Sequence, residues 1–289
     1  MDLIIASLAL ASAMIHPLRE FIMKGSRYPE AGYLGIVALW IPLTLIHTLI
    51  VGADLGSAWG VWPIVLLSYL GFFLFYVGMI ETIKRGDLSV YYPIARASPL
   101  FIVVVGFLFL GHRYSPVLLF GIGLVLLGAF FLQYKRGARF LRQPAALIGA
   151  LVAMSGTGIY SLADAEAMRT VEPMVMMAWV YILLVPSCAL YFALTRPRGQ
   201  HIIAHLLAGW RQTPVRFVAA AVLSYLSYYL ILVTYQLGGN VAAVGSLRLA
   251  SIPVSVFLGG RYLKEADMRT RLAWSLVLTG GIVVIIIAR

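Results

Sequence analysis

The sequence has little charge, and this scarcity excludes most classes of soluble protein. Only 11% of its 289 residues are charged, whereas 62% are hydrophobic and the mean hydropathy is +0.94. Soluble domains have roughly 25% charged and about 45–50% apolar residues, because apolar surface is costly to expose to water. A water-soluble globule of this size could not bury so much apolar surface. We therefore predict a membrane protein that crosses the bilayer several times.

Cysteine and phosphate-binding motifs are scarce as well. Cys188 is the single cysteine, so neither an intrachain disulfide nor a cysteine-based metal site can form. The glycines occur without a GK[ST] sequence, which argues against ATP-driven transport by this chain. The net charge of +11 is better explained by basic cytoplasmic loops than by nucleic-acid binding. We expect no cofactor, no metal and no nucleic-acid partner.

Ten apolar segments are each about long enough to cross the hydrocarbon core as a helix. The longest connection, between Thr195 and Val215, is predicted to form a short interfacial helix. Loops on one side of the membrane contain sixteen Lys and Arg residues, against three on the other side. Because basic loops face the cytoplasm, both termini are predicted to lie on the non-cytoplasmic side of the cell membrane. The predicted spans are 3–22, 32–52, 61–83, 88–110, 115–133, 145–167, 174–195, 216–237, 240–260 and 272–288.

The two halves of the chain share sequence features. The fragment Ser68-Tyr69-Leu70-Gly71-Phe72-Phe73-Leu74 of the third span aligns with Ser224-Tyr225-Leu226-Ser227-Tyr228-Tyr229-Leu230 of the eighth. Arg96 and Arg248 follow these fragments at similar intervals, and a serine and a proline come after each arginine. The shared features predict an internal repeat.

An internal repeat with an odd number of helices inserts its two copies with opposite orientation. Inverted repeats are typical of secondary transporters, whose substrate site lies near the bilayer midplane between the halves. We predict an all-α membrane protein of ten transmembrane helices, arranged as two inverted five-helix repeats. Its parts are a first repeat at 1–134, a basic cytoplasmic linker at 135–142 and a second repeat at 143–289.

One segment of the sequence is similar to a known family. Arg85-Gly86-Asp87-Leu88-Ser89-Val90-Tyr91-Tyr92-Pro93-Ile94-Ala95-Arg96 resembles the R-G-D-L-S-x-x-Y-P-x-A-R-G segment of one branch of EamA-type transporters, in the drug/metabolite transporter superfamily. The resemblance implies ten helices, a pseudo-twofold axis in the membrane plane, and movement of small metabolites. Weaker counterparts of three further motifs of that branch are His16-Pro17-Leu18-Arg19-Glu20 with Lys24, Tyr160-Ser161-Leu162-Ala163-Asp164, and Tyr262-Leu263-Lys264-Glu265.

Arg96 and Arg248 are predicted to lie near the middle of the membrane. Charged residues at that depth are costly and face a cavity or one another. Arginine is permanently charged, and its planar fork binds carboxylate or phosphate. We predict that the two arginines hold the acidic group of a substrate. The alternative is that a fixed carboxylate neutralises each arginine, which then only holds helices together.

Asp164 and Glu20 are the predicted proton-coupling residues. His16 and Glu20 have the same four-residue spacing as Tyr160 and Asp164, which places each pair on one face of the first helix of its half. A carboxylate near an arginine could bind and release a proton during transport, because burial and charge change its proton affinity.

The alternative for each carboxylate is a structural role. Glu20 would pair with Arg19 or Lys24 at the cytoplasmic end of the first helix. Asp164 would cap a helix end near Arg169.

Aromatic and histidine side chains are predicted to line the cavity around the arginines. Their alternative role is packing or contact with lipid, since aromatic stripes at helical spacing are common in helices that only pack. Four tryptophans are interpreted as anchors at the membrane interface, namely Trp40, Trp59, Trp62 and Trp179. The predicted lining residues are Tyr91, Tyr92, Tyr228, Tyr229 and His16.

These features favour a secondary transporter over an enzyme. We predict alternating-access transport of a small organic anion or zwitterionic metabolite, coupled to protons or to exchange, and outward as the resemblance implies. The expected partners are the small-molecule substrate, membrane lipids and protons. The alternative is a flippase or a membrane enzyme that acts on a lipid phosphate headgroup through the same arginines. An enzyme should add a nucleophile or a metal cluster, and the sequence has no such constellation.

Overall fold

The structure is a computed structural model that describes residues 1–23, 29–85, 88–133, 140–195, 214–254 and 268–288. These residues form α-helices and 3-10 turns, with no strand among them, which confirms the all-α prediction. The predicted interfacial helix between Thr195 and Val215 lies outside the described residues, as does most of the predicted linker.

The helices follow the predicted spans closely. Within the described ranges, six helical segments are long and apolar enough to cross a membrane, and four shorter apolar segments accompany them. Three 3-10 turns, Leu55–Val61, Phe140–Arg142 and Arg248–Ala250, connect or interrupt the α-helices, and residues 251–254 are helical again. The α-helices are α1 (Leu3–Met23), α2 (Pro29–Val51), α3 (Trp62–Arg85), α4 (Leu88–Ala95), α5 (Ser98–Phe109), α6 (Pro116–Gln133), α7 (Pro144–Ala167), α8 (Pro173–Thr195), α9 (Pro214–Gln236), α10 (Val241–Leu247) and α11 (Met268–Ile287).

The fourth and ninth predicted spans are not continuous helices, so this part of the prediction is wrong. Arg96 lies in the turn between α4 and α5, and Arg248 begins the 3-10 turn after α10. In a continuous helix, the rings of Pro99 and Pro253 would clash with the carbonyl four residues earlier, and neither proline has an N–H group to donate. Each helix therefore breaks close to its arginine.

Glycines bring α3 and α7 into backbone contact. A Cβ atom added to Gly71 would lie 2.8 Å from the carbonyl oxygen of Gly156, and one added to Gly78 would lie 2.6 Å from that of Gly149. Small residues at such positions let transmembrane helices approach closely. The contact joins a helix of the first half of the chain to a helix of the second half.

Three other helix pairs also cross between the halves. α1 packs on α9, where the hydroxyls of Ser12 and Ser227 lie 3.0 Å apart. α2 packs on α8, and α6 packs on α11. The buried core therefore lies between the halves, while many large apolar side chains on the outer helix faces are exposed, as expected of lipid-facing surfaces.

Candidate functional site

Arg96 and Arg248 come from different halves of the chain, and Ser251 links them. Nη2 of Arg96 donates a hydrogen bond to Oγ of Ser251 at 3.2 Å, and that hydroxyl donates to the backbone carbonyl of Arg248 at 2.8 Å. The Arg96 guanidinium also lies over the ring of Tyr92, 5.4 Å from its centroid. The two helix breaks therefore meet inside the bundle, where the Arg96 guanidinium reaches the backbone of Arg248 through Ser251.

One donor of Arg96 has no hydrogen-bond partner in the described part of the chain. This donor is the Nε atom, which is buried. A buried donor without a partner is costly, and more so on a charged group. An anion that accepts from this edge of the guanidinium would remove that cost.

Asp164 lies in α7 and is fully enclosed, with a side chain only 1% exposed. Ser68 of α3 donates a hydrogen bond to Oδ1 at 2.5 Å, and the hydroxyl of Tyr228 from α9 donates to Oδ2. The Arg248 guanidinium lies over the ring of Tyr228, 5.7 Å from its centroid, and attracts the carboxylate electrostatically. Hydroxyl donors and an opposite charge together make a buried carboxylate tolerable.

An aromatic cluster surrounds Arg248 and Asp164. Tyr160 accepts a hydrogen bond from Arg248, and its ring stacks on Phe72 with a centroid distance of 3.9 Å. Trp40 stacks on Tyr228 at 5.9 Å and contacts Tyr181 at 4.6 Å. The five rings come from α2, α3, α7, α8 and α9, so the cluster exists only in the assembled bundle.

The structure does not bring all predicted lining residues to this cluster. Tyr91 is buried in a separate apolar cluster, where it packs with alanines of α7. Tyr229 is half-buried and contacts His47 at 5.0 Å, beside α2. His16 lies in α1, which packs against the 3-10 turn that contains Arg248. Glu20 is also in α1, but its side chain lies outside the described residues.

The remaining described carboxylates of the helices pair at the surface. Arg85 bonds Glu81 at 2.6 Å, and Arg169 bonds Glu166 at 3.1 Å. The alternative in which Asp164 caps a helix end near Arg169 is therefore wrong. Among the described residues, no group of three His, Cys, Asp or Glu side chains is arranged to hold a metal ion.

Several residues of the site were missed or misread from the sequence. Trp40 was interpreted as an interface anchor, but it is buried beside Tyr228 and donates to Ser224 at 3.1 Å. Ser68 and Ser251 had no predicted role as hydrogen-bonding partners. Ser68 did carry a signal, because it begins the fragment that the two halves share.

Comparison with known proteins agrees with this architecture. Residues 3–134 match the EamA-like transporter family. This part of the chain is therefore similar to membrane transporters of that family. The match includes Tyr92 and Arg96, whereas Asp164, Tyr228 and Arg248 lie beyond it. A search of curated proteins found no match for the protein.

The protein also has the fold of a solved structure. A chain described only as "Crystal structure of protein" aligns with 99% of this protein and with 97% of its own length, at a TM-score of 0.77. The two sequences are 19% identical. The similarity therefore shows the fold alone.

Proposed function

We propose that the protein is an EamA-family transporter that moves a small organic anion or zwitterionic metabolite by alternating access, with proton or exchange coupling. Its two halves, 1–134 and 143–289, would be inverted five-helix repeats joined at 135–142, and rocking of one against the other would expose the site alternately. The proposed binding groups are Arg96 and Arg248, with Tyr92 and Tyr228 against them. The basic loops favour a cell-membrane location with both termini outside the cytoplasm, and the resemblance favours outward transport.

The helix contacts support the inverted repeat. In an inverted repeat, helices α1, α2, α3 and α6 of the first half correspond to α7, α8, α9 and α11 of the second. The α1–α9 contact is then equivalent to the α7–α3 contact, and the α2–α8 and α6–α11 contacts each join two equivalent helices. The shared fragments align Gly71 with Ser227, and the spaced pairs of the first helices align Ser12 with Gly156. Ser12 contacts Ser227, and Gly156 contacts Gly71, so both cross contacts join equivalent positions.

The observation that carries the anion proposal is the buried Nε of Arg96, which has no hydrogen-bond partner among the described residues. The described site contains two guanidinium groups and one carboxylate, which leaves an excess of positive charge when Asp164 is ionised. Arginine binds carboxylate and phosphate oxygens in a fixed plane, and it cannot lose its proton at neutral pH. A small anion with a planar or tetrahedral acidic group would complete the hydrogen bonding of Arg96.

Ligand-induced thermal stabilisation of the purified transporter tests this proposal, because a ligand that binds the folded state raises its midpoint. The panel is benzoate, L-glutamate, methylphosphonate, methanesulfonate and glycerol 3-phosphate, with L-alanine as a zwitterion and choline as a cation. We expect at least one anion to raise the midpoint in the wild type. The Arg96→Ala variant should lose this shift, and Arg96→Lys should recover it only in part, because lysine keeps the charge but not the fork.

Arg169→Ala is the matched control, since this arginine is exposed and pairs with Glu166. The control should keep the full anion-induced shift. If choline alone stabilises the wild type, or if Arg96→Ala responds to anions as the wild type does, the anion proposal is wrong. If glycerol 3-phosphate raises the midpoint of the wild type, and if only a phospholipid competes with it for the site, the flippase alternative is favoured.

A further inference from the structure

Asp164 is the counter-charge of Arg248, and its position determines whether proton binding strengthens or weakens the binding of an anion. We propose that the substrate anion binds most tightly when Asp164 carries a proton, so that one proton and one anion occupy the transporter together. This inference rests on the proposed function and adds to it the direction of coupling and the net charge of the substrate.

Hydroxyl groups from two other helices cover the carboxylate of Asp164. Oδ1 accepts from Ser68 and Oδ2 accepts from Tyr228, while the side chain is 1% exposed. Tyr228 also contacts the Arg248 guanidinium, which lies over its ring at 5.7 Å from the centroid. A substrate at the arginines can therefore sense the charge of Asp164 without contacting it.

An anion at the arginines and an ionised Asp164 would repel each other. Like charges interact strongly where water is excluded, and either charge makes the other less favourable. A proton on Asp164 removes this repulsion and leaves Arg248 uncompensated, which favours the anion. By linkage, the anion must strengthen proton binding by the same factor.

Asp164 is the acidic group of this site, and the Asp164→Asn variant separates its titration from that of neighbouring groups. The charged group that faces it is Arg248, which stays charged at all physiological pH values. The helix of Asp164, α9 and α4 contribute tyrosines, whose hydroxyls are neutral near pH 7. His16 lies on α1, which packs against the turn of Arg248. The tyrosines near Asp164 are Tyr160, Tyr228 and Tyr235, while Tyr91 of α4 packs farther along α7 against its alanines.

The sealed position also selects the class of substrate. An ammonium group of a zwitterion cannot reach Asp164 in this structure, because the residue is 1% exposed and Ser68 and Tyr228 cover its carboxylate oxygens. A proton, which needs no space, is therefore the cation that neutralises this carboxylate. The site thus favours a net anion such as a carboxylate or phosphonate over a zwitterionic amino acid.

Two ligands that bind together also cross together when the doubly loaded transporter is the form that changes its exposure. An inward proton gradient would then favour uptake of the anion. Outward transport, which the family resemblance implies, would need exchange for a second solute or a substrate gradient as its drive.

The Asp164→Asn variant tests the inference, because asparagine resembles the protonated acid. The wild type and Asp164→Asn are compared at about pH 6 and about pH 8, with the affinities of benzoate, L-glutamate, methylphosphonate and methanesulfonate measured for each. The ratio of the two affinities at one pH removes the effect of titration of the anion itself, because that effect is the same for both proteins. We expect wild-type affinity to fall by about threefold to tenfold per pH unit relative to Asp164→Asn. At the lower pH the two proteins should bind alike.

Two serine variants keep the test valid if Asp164→Asn does not fold. Ser68→Ala removes a donor that favours the ionised carboxylate, so the affinity profile should move to higher pH. Ser224→Ala is the matched control, because this equivalent serine of α9 bonds Trp40 and the carbonyl of Ala221. Its profile should stay at the wild-type position.

The outcomes separate this inference from the proposed function. If anions bind the wild type with an affinity that is constant or rises with pH, and Arg96→Ala abolishes binding, only the inference is wrong. If Asp164→Asn keeps the wild-type pH dependence, another group titrates and the inference is also wrong. If no anion stabilises the wild type or Asp164→Asn at either pH, the proposed function itself fails.

Discussion

Replacement of Gly78 by alanine should destabilise the contact between α3 and α7. The added Cβ would lie 2.6 Å from both the backbone nitrogen of Ala153 and the carbonyl oxygen of Gly149. Both neighbours are backbone atoms, so no side chain can rotate away. The helices would have to separate by about 0.8 Å to reach ordinary van der Waals contact.

The size of this effect can be isolated with Gly280 as a matched position. Gly280 is also helical, but a Cβ added there would meet nothing within 4 Å. Alanine in place of glycine favours a helix by about 1 kcal/mol, and this gain is common to both variants. Their difference is therefore the cost of overpacking, about 1–3 kcal/mol.

Thermal unfolding of the two purified variants in the same detergent measures this difference. We expect the midpoint of Gly78→Ala to be at least about 2 °C below that of Gly280→Ala. Equal midpoints would refute the reasoning, because they would mean that α3 and α7 do not approach through Gly78. A folded Gly78→Ala protein with altered transport would instead show that this contact takes part in the movement of the halves.

Two further predictions concern the ends of the bundle and its single thiol. Trp179→Phe removes the N–H donor to the carbonyl of Leu55 at 3.0 Å and should lower the free energy of unfolding by about 1 kcal/mol, measured in a detergent titration; an unchanged value would contradict the contact. Cys188 is 3% exposed and should react with a maleimide only after unfolding, so rapid labelling of the native protein would argue against its burial.

The positions of the helices could be predicted from the sequence because each one is a local apolar run of the length that a bilayer requires. The breaks near Arg96 and Arg248 were missed, although Pro99 and Pro253 marked both places. Hydropathy averages over a window of residues, so it records an apolar segment and does not register one missing backbone hydrogen bond. Proline alone would not have identified the breaks, because Pro17, Pro42, Pro93 and Pro186 lie inside helices that continue past them.

The partners of Asp164 could not be predicted in the same way. Ser68 lies in α3 and Tyr228 in α9, far from Asp164 along the chain, and only the packing of α7 between them makes the contacts. Trp40 was assigned to the interface because tryptophans concentrate there, but α2 packs against α8 and α9 and buries it. Composition reports the preference of a residue type and contains no information on which helices become neighbours.

The sequence by itself determined that this is a helical membrane protein and that two arginines lie inside its spans. Both conclusions follow from local hydropathy and charge. The tertiary structure decided which polar groups face one another. It joined Arg96 to Ser251, brought Tyr228 into contact with both Asp164 and Arg248, and left the buried Nε of Arg96 without a hydrogen-bond partner among the described residues. Such pairings depend on contacts between helices distant in sequence, where close packing admits only particular neighbours.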